Sequence, residues 1–142
     1  LYSQYDNFDN ENKSHFVTAL IKKIQNCVKN DEAVLKLFGT GKPLRQFIHA
    51  SDLADIIVQG LDRILKTDFN VAGDECHSIR EMAEIALNVL DKNLILNFDT
   101  LMPDGQFRKD ASNKKMKELF PDFEFKPFAN GIESVYNTII NE

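Results

Sequence analysis

The sequence predicts a mixed fold, α/β or α+β, in which short strands alternate with about five helices. Two features of the residue order carry this. Apolar residues recur at three- and four-residue steps in separate stretches, and between them lie short apolar runs bounded by Gly, Pro, Asn and Asp. Size and composition agree: the 142 residues fit one domain, able to bury about 70% of the surface its unfolded chain exposes. Hydrophobic residues make up 43% and charged residues 27%, with four Pro and six Gly, which excludes a disordered or collagen-like chain.

Residues 1–13 carry Tyr2, Tyr5 and Phe8 among Asp, Asn, Gln and Glu without periodicity, and read as an aromatic-studded connecting loop. Ser14 then stands as an N-cap before Phe16, Val17, Leu20, Ile21, Ile24, Cys27 and Val28, whose spacing predicts the first helix. Ala33 to Phe38 and Arg45 to Ile48 read as two strands flanking the Gly-rich turn Gly39-Thr40-Gly41-Lys42-Pro43. A second helix is predicted from Ser51 to Lys66, followed by a strand from Phe69 to Ala72. Ser78-Ile79-Arg80-Glu81 is a capping box, the Ser accepting from the third backbone N–H and the Glu from the cap's own, and it launches a third helix to about Leu90. Leu94 to Phe98 reads as a strand, Pro103 to Asp110 as a polar loop and Ser112 to Phe120 as a short basic helix. Phe123 and Phe125 share one face of a two-residue period, and Ile132, Val135, Tyr136, Ile139 and Ile140 mark a last amphipathic helix.

Several functions are excluded by what the residues do not supply. A net charge of −5, from 17 Lys plus Arg against 22 Asp plus Glu, argues against nucleic acid or anionic lipid as a partner. No apolar run approaches a membrane span and no signal peptide opens the chain, so a cytoplasmic protein is expected. Cys27 and Cys76 have neither C-x-x-C spacing nor a His pair, which points to no metal; a disulfide between them stays open. The Gly39-Thr40-Gly41-Lys42 segment is not a Walker A loop, which needs Gly where Lys36 stands and Ser or Thr where Pro43 stands. It is not a dinucleotide fingerprint either, because the third Gly would fall at Leu44. Tyr2, Tyr5 and Tyr136 are followed at four residues by Asp6, Asp9 and Ile140, so there is no Tyr-x-x-x-Lys pair. No Ser/His/Asp spacing supports nucleophilic hydrolysis.

Five segments together carry a more specific resemblance: Leu1-Tyr2 with Asp6-Asn7-Phe8 and Ser14-His15; Phe38 through His49; Phe69-Asn70-Val71-Ala72-Gly73; Phe98-Asp99 with Pro103-Asp104-Gly105-Gln106-Phe107-Arg108-Lys109; and Pro121-Asp122-Phe123 with Phe125-Lys126-Pro127-Phe128. In these the chain resembles the C-terminal half of the GDP-L-fucose synthase family, in the extended short-chain dehydrogenase/reductase superfamily. The Gly-x-Gly-x-x-x-Arg-x-Phe stretch occurs across that superfamily, whereas the Asp-Asn-Phe, Ser-His and Pro-Asp-Gly-x-x-Arg-Lys segments are closer to this family.

The resemblance implies an α/β chain that forms the small GDP-sugar-binding domain over residues 1–142, with 1–13 as its connecting loop. The Rossmann half, with the catalytic Ser, Tyr, Lys and Cys, would lie before Leu1. It further implies an enzyme that epimerises C3 and C5 of GDP-4-keto-6-deoxy-D-mannose and reduces C4 with NADPH to give GDP-L-fucose. The complete enzyme would be a homodimer, and NADP would be held mainly outside this chain, which alone is expected to be inactive. Residue by residue, His15 matches the family's acid in the epimerisations, and its place at the start of the first helix would project it into a cleft. Lys23, Arg45 and Lys109 match basic positions that neutralise the diphosphate, Arg with a bidentate fork. Phe38 matches a position often held by Trp beside the nucleotide, Asp104 a substrate-contacting Asp, and Leu1 a cofactor contact. Ser3-Gln4 stands where the family usually carries Gly-Pro, and Thr18 where it carries Pro.

Each assignment has a plainer alternative in the residues themselves: an exposed first-turn His, a solvated helix face at Lys22 and Lys23, a loop charge at Lys109, a strand-end core Phe and a generic turn Asp. Cys27, by its spacing with Leu20, Ile24 and Val28, reads as core and not as a catalytic thiol. Another nucleotide-sugar epimerase or reductase, and a non-catalytic nucleotide-sugar binding module, remain the competing functions.

Overall fold

A computed structural model describes residues 1–8, 14–61 and 67–140. Among these residues five helices and five short strands follow in the order α1 Phe16–Lys29, β1 Val34–Phe38, β2 Leu44–Arg45, α2 Ala50–Leu61, β3 His77–Ser78, α3 Ile79–Val89, β4 Ile95–Asp99, β5 Arg108–Lys109, α4 Lys114–Leu119 and α5 Phe128–Ile140. The mixed class and the five helices expected from the sequence are both present. The expected last turn of the second helix, 62–66, and loop residues 9–13 lie outside the described residues.

Two small sheets form. Strands β1 and β4 pair in parallel with Val34 opposite Ile95 and Phe38 opposite Asp99, a pairing that requires the long crossover through α2 and α3. Strand β2 sits between β3, antiparallel, and β5, parallel. The two strands that flank the Gly-rich turn therefore belong to different sheets. Leu35 and Leu37 point from β1 into the main core, where Leu20, Ile21 and Ile24 of α1, Met82, Ala83 and Ala86 of α3, and Ile132 and Val135 of α5 close around them. Burying each such large aliphatic side chain stabilises the fold by about 1.5–3 kcal/mol. A second core joins Ile56 of α2 to Met116 and Phe120 at α4, with Phe69, Val71, Phe123 and Phe125 packed against it.

Several local expectations are corrected. Phe69 to Ala72 is no strand: the Ala72 carbonyl accepts from Asn113 Nδ2 at 3.0 Å and the Gly73 carbonyl from Gln46 Nε2 at 2.6 Å, so side chains occupy the ladder positions. Gln46 also accepts from the Ala111 N–H at 2.8 Å, which ends β2 at Arg45 instead of Ile48. Phe123 and Phe125 meet edge to face, 5.2 Å between centroids, inside the second core without a strand. The loop at Pro103 to Asp110 contains β5, and α5 begins at Phe128, whose N–H donates to Glu75 at 2.9 Å. Ser14 does not cap α1. Its hydroxyl donates to the Asn7 carbonyl at 2.7 Å, His15 takes the N-cap position, and the first turn is tied down by Thr18 donating to Asp6.

The capping box is present as expected, with Glu81 N–H donating to Ser78 Oγ at 3.1 Å and Ser78 N–H to the Glu81 carboxylate at 2.7 Å. Cys27 is buried in the core, where burial raises its thiol pKa, and both cysteines are free. Phe107 is exposed, and Phe8 and Phe47 are half-buried against the main core.

One buried polar knot joins the amino-terminal segment to α2 and α5. Tyr2 bridges to His49, donating its N–H to the Ile48 carbonyl at 3.2 Å while its own carbonyl accepts from Ala50 at 2.9 Å. His49 accepts the Ser51 N–H on Nδ1 at 3.2 Å, which leaves the imidazole proton on Nε2, and Asp52 accepts from the Lys126 N–H at 3.1 Å. Burial, followed by the nearby Lys126 charge, lowers the His49 pKa from its ordinary value. The sign follows from linkage: below that ordinary value the unfolded chain takes up a proton that the fold resists, so stability is full above it and declines as pH falls towards the depressed folded value. The urea midpoint of the chain should therefore drop between about pH 7.5 and about pH 5.5, and His49→Asn, which keeps an acceptor but cannot titrate, should flatten that slope. A variant as pH-dependent as the wild type would exclude His49 as the cause.

Candidate functional site

The site is built around the turn between the two sheets. Gly39 and Gly41 both have positive φ, 77° and 75°, a region L side chains rarely enter. They also have close neighbours: a Cβ on Gly39 would collide with the Asp104 carboxylate, and one on Gly41 would stand 2.6 Å from the Phe98 ring. Gly39 N–H donates to the Asp99 carbonyl at 3.0 Å, carrying the β1–β4 pairing one residue further. The Gly41 and Pro43 carbonyls accept from the Arg80 and Ile79 N–H groups at 2.9 and 3.0 Å, and the Arg80 guanidinium lies 4.3 Å from the centre of the Phe98 ring.

Between α1, β1, β2 and the start of α3 this turn leaves a cavity of about 400 Å³. Its walls are apolar, from Phe16, Leu20, Leu37, Phe38, Ile79 and Pro103, and its charged groups are Lys23, Arg45 and Asp104. Lys23 Nζ donates to the Lys36 carbonyl at 3.0 Å and stands 4.6 Å from the Phe38 ring centre, a cation held at an aromatic face. Arg45 Nη1 donates to the Leu44 carbonyl at 2.7 Å. Both cations are thus held by neutral carbonyls, whereas Arg108 is ion-paired with Asp110 and Lys117 with Asp74. Asp104 accepts from Thr40 twice, from the N–H at 2.6 Å and from the hydroxyl at 2.7 Å. Those bonds, the backbone one first, hold its carboxyl below the usual carboxylate range.

Four of the residues singled out from sequence therefore meet at one cavity: Lys23, Phe38, Arg45 and Asp104. The other three do not. His15 precedes the first turn of α1 and is exposed, with its neighbour Phe16 on the cavity wall. Lys109, on β5, lines a separate cavity of about 280 Å³ together with Leu1, Gln46 and Gly73. Phe38, 62% exposed, is a rim residue and not a strand-end core Phe, and Asp104 is a brace across the chain instead of a generic turn Asp. Sequence reasoning missed Phe16, Ile79 and Pro103 as walls and Thr40 as the partner of Asp104. The signal for Thr40 was present, since Gly on both sides marks a turn whose middle residue is fixed.

Among the described residues no group of three His, Cys, Asp or Glu side chains could hold a metal, and no helix is long and apolar enough to cross a membrane. The first N–H groups of α3 are taken by Pro43, Gly41 and Ser78, and the second cavity offers Lys109 beside an Asp110 already bound to Arg108.

Comparison with known proteins gives one family. A family model described as GDP-mannose 4,6 dehydratase matches residues 3–125. The chain is similar to GDP-L-fucose synthase of Dictyostelium discoideum, 35% identical over 136 residues that make up 94% of this chain and 42% of that protein. To GDP-L-fucose synthase 1 of Arabidopsis thaliana it is 37% identical over 84% of this chain and 37% of the relative. Among solved structures, a GDP-L-fucose synthetase from Naegleria fowleri superposes with a TM-score of 0.89 at 26% identity, covering 99% of this chain and 43% of that one. Its NADP-bound form superposes with a TM-score of 0.87. The chain spans less than half the length of the relatives it matches, in their C-terminal part.

The turn itself can be tested. Gly105 also has a positive φ, 71°, but a Cβ there would meet nothing within 4 Å, so Gly105→Ala isolates the backbone penalty of about 1–2 kcal/mol. Gly41→Ala adds the collision with Phe98 and should lower the unfolding free energy by clearly more. Equal losses in urea denaturation would show that the Phe98 contact relaxes freely.

Proposed function

The chain belongs to the GDP-mannose 4,6 dehydratase family, and on that premise we propose that it forms the GDP-sugar-binding part of a GDP-L-fucose synthase. The observation that carries the reading is the cavity with two cations, Lys23 and Arg45, held by carbonyls and without ion pairs among the described residues. A diphosphate fits such a place. Carbonyl partners orient a cation without cancelling its charge, and the apolar walls raise the strength of whatever charge pairing forms between them. The volume lies within the roughly 300–1,000 Å³ of small-molecule pockets.

In this reading Arg45 grips the diphosphate with its remaining N–H donors, Lys23 adds a point charge at the rim, and the free face of Phe38 packs against the nucleoside. Asp104 keeps lone pairs beyond the two used by Thr40 and accepts from donors of the ligand. Lys109 and Leu1, at the second cavity, belong to the side facing the cofactor and sugar. The nicotinamide cofactor, when bound in the complete enzyme, supplies the hydride for the C4 reduction; that it is held mainly outside this chain is supported by the chain's matching only the C-terminal part of its relatives, one of which has an NADP-bound structure. Residues 1–142 act as one domain, and the complete enzyme is a cytoplasmic homodimer that takes GDP-4-keto-6-deoxy-D-mannose to GDP-L-fucose.

Calorimetric titration of GDP into the chain tests the cavity. Loss of a charge-assisted pair to phosphate costs about 1.5–3 kcal/mol, so Arg45→Ala should weaken binding by about 10- to 150-fold and Arg45→Lys by less. Lys115→Ala, an exposed position on α4, serves as the control; Arg45→Ala binding GDP as well as that control would place the nucleotide elsewhere.

His15, exposed at the start of α1, is proposed as the proton donor in the epimerisations of the complete enzyme. His15→Asn should leave GDP affinity unchanged and slow epimerisation by about 100-fold or more. Solvent deuterium entering C3 and C5, read by mass spectrometry, follows that step directly. Unchanged incorporation in the variant would leave His15 without a catalytic part.

A further inference from the structure

The loop between β4 and β5 closes one side of the cavity with Pro103 and Asp104, and every residue from Thr100 to Phe107 is exposed. Its ends are anchored, Met102 N–H donating to the Asp99 carbonyl at 3.1 Å and the Phe107 carbonyl accepting from Leu44 N–H at 2.7 Å. Between those ends, the hydrogen bonds that tie it to the body among the described residues are the two that Asp104 accepts from Thr40. An exposed loop held at its middle by one residue is a strap, and the post that holds it is rigid. Thr40 stands between two left-handed glycines, and the Gly39 N–H is committed to Asp99. Its hydroxyl is oriented too, since it accepts from Lys42 N–H at 3.3 Å while donating to Asp104.

We infer that Thr40 is a positioning residue that fastens the 100–107 strap over the cavity through Asp104, and that unfastening this clasp is the step by which a bound ligand leaves. Thr40 lies outside the residues that line the cavity, so it acts on a ligand through the carboxylate it holds. The clasp has two donors, and only one belongs to the side chain. Thr40→Val keeps the shape and the backbone N–H and removes the hydroxyl; Thr40→Ser keeps both donors. The identity of the ligand rests on the nucleotide reading above, whereas the clasp does not.

Two measurements on the intact chain separate these. Amide hydrogen exchange at position 40 reports the clasp directly, because that N–H is bonded to Asp104 only while the strap is closed. Stopped-flow displacement of GDP reports release. Thr40→Val should lose about ten-fold of the protection at position 40, corrected for intrinsic rate, and release GDP about ten-fold faster with association within about two-fold. Thr40→Ser should restore both, and amides inside α3 should be unchanged in either variant. Wild-type protection in the Val variant would overturn the clasp, and lost protection with unchanged GDP release would overturn its role in release. A wild-type chain that binds no GDP would overturn the nucleotide reading and the release role with it, while exchange at position 40 would still decide the clasp.

Discussion

The left-handed backbone at Gly39 and Gly41 is the constraint on which the rest of the architecture depends. At that point the chain leaves one sheet and enters another, and three distant parts of the sequence are fitted to the surface it exposes. Phe98, from β4, fills the space a Cβ at Gly41 would need; Asp104 fills the space beside Gly39; and the α3 N-terminus hangs its first N–H groups on the Gly41 and Pro43 carbonyls. An L residue at either glycine would strain the backbone and displace a neighbour at once. The cavity follows from this convergence, since the ends of β1, β2 and α3, held around one turn, face α1 and the 103–104 segment across it.

Helices were legible in the sequence because their signal is local. Of the α1 residues that recur at three- and four-residue steps, Val17, Leu20, Ile21, Ile24 and Cys27 are buried while Val28 in the last turn is exposed, and the Ser78 to Glu81 box closes as its spacing requires. Strands were not legible to the same degree, because a strand is defined by its partner. Strands β3 and β5 are two residues each and exist only through β2. Phe69 to Ala72 and Phe123 to Phe125 carry strand-like patterns yet spend Phe69, Val71, Phe123 and Phe125 on the second core, while Asn113 takes the Ala72 carbonyl and Gln46 that of Gly73 just beyond. Ser14 illustrates the same limit at a helix end: a hydroxyl of the right type was drawn to Asn7 by a loop that local pattern does not describe.

The site shows the division more sharply. Lys23, Phe38, Arg45 and Asp104 come from a helix, a strand end, a second strand and a loop, and no spacing rule brings them together; it was the family resemblance that grouped them, and the fold that gathers them at one cavity. That gathering does not extend to Lys109 and Leu1, which line a second cavity, or to His15, which is exposed beside Phe16. Outside the cavity, α2 turns Ile57, Val58 and Leu61 to the surface while burying only Ile56 and Asp52, so apolar character alone points to a face that carries no cavity with charged groups among the described residues.

A chain of net charge −5 can still favour a diphosphate, because what matters at short range is which charges remain uncancelled. Most of its excess carboxylates are spread over an exposed, screened surface, where their repulsion of an approaching anion is weak. Inside the cavity the balance is different. Lys23 and Arg45 are oriented by carbonyls that leave their full charge available, and the one carboxylate present, Asp104, is turned towards two donors on Thr40. The same two bonds fix the one carboxylate among the described lining residues in orientation and keep it ionised, so the local balance is two cations to one anion. On the proposed nucleotide reading, a carboxylate held in one orientation by two bonds serves to discriminate ligands by the hydrogen-bond donors they bring, while the two cations carry the attraction for phosphate.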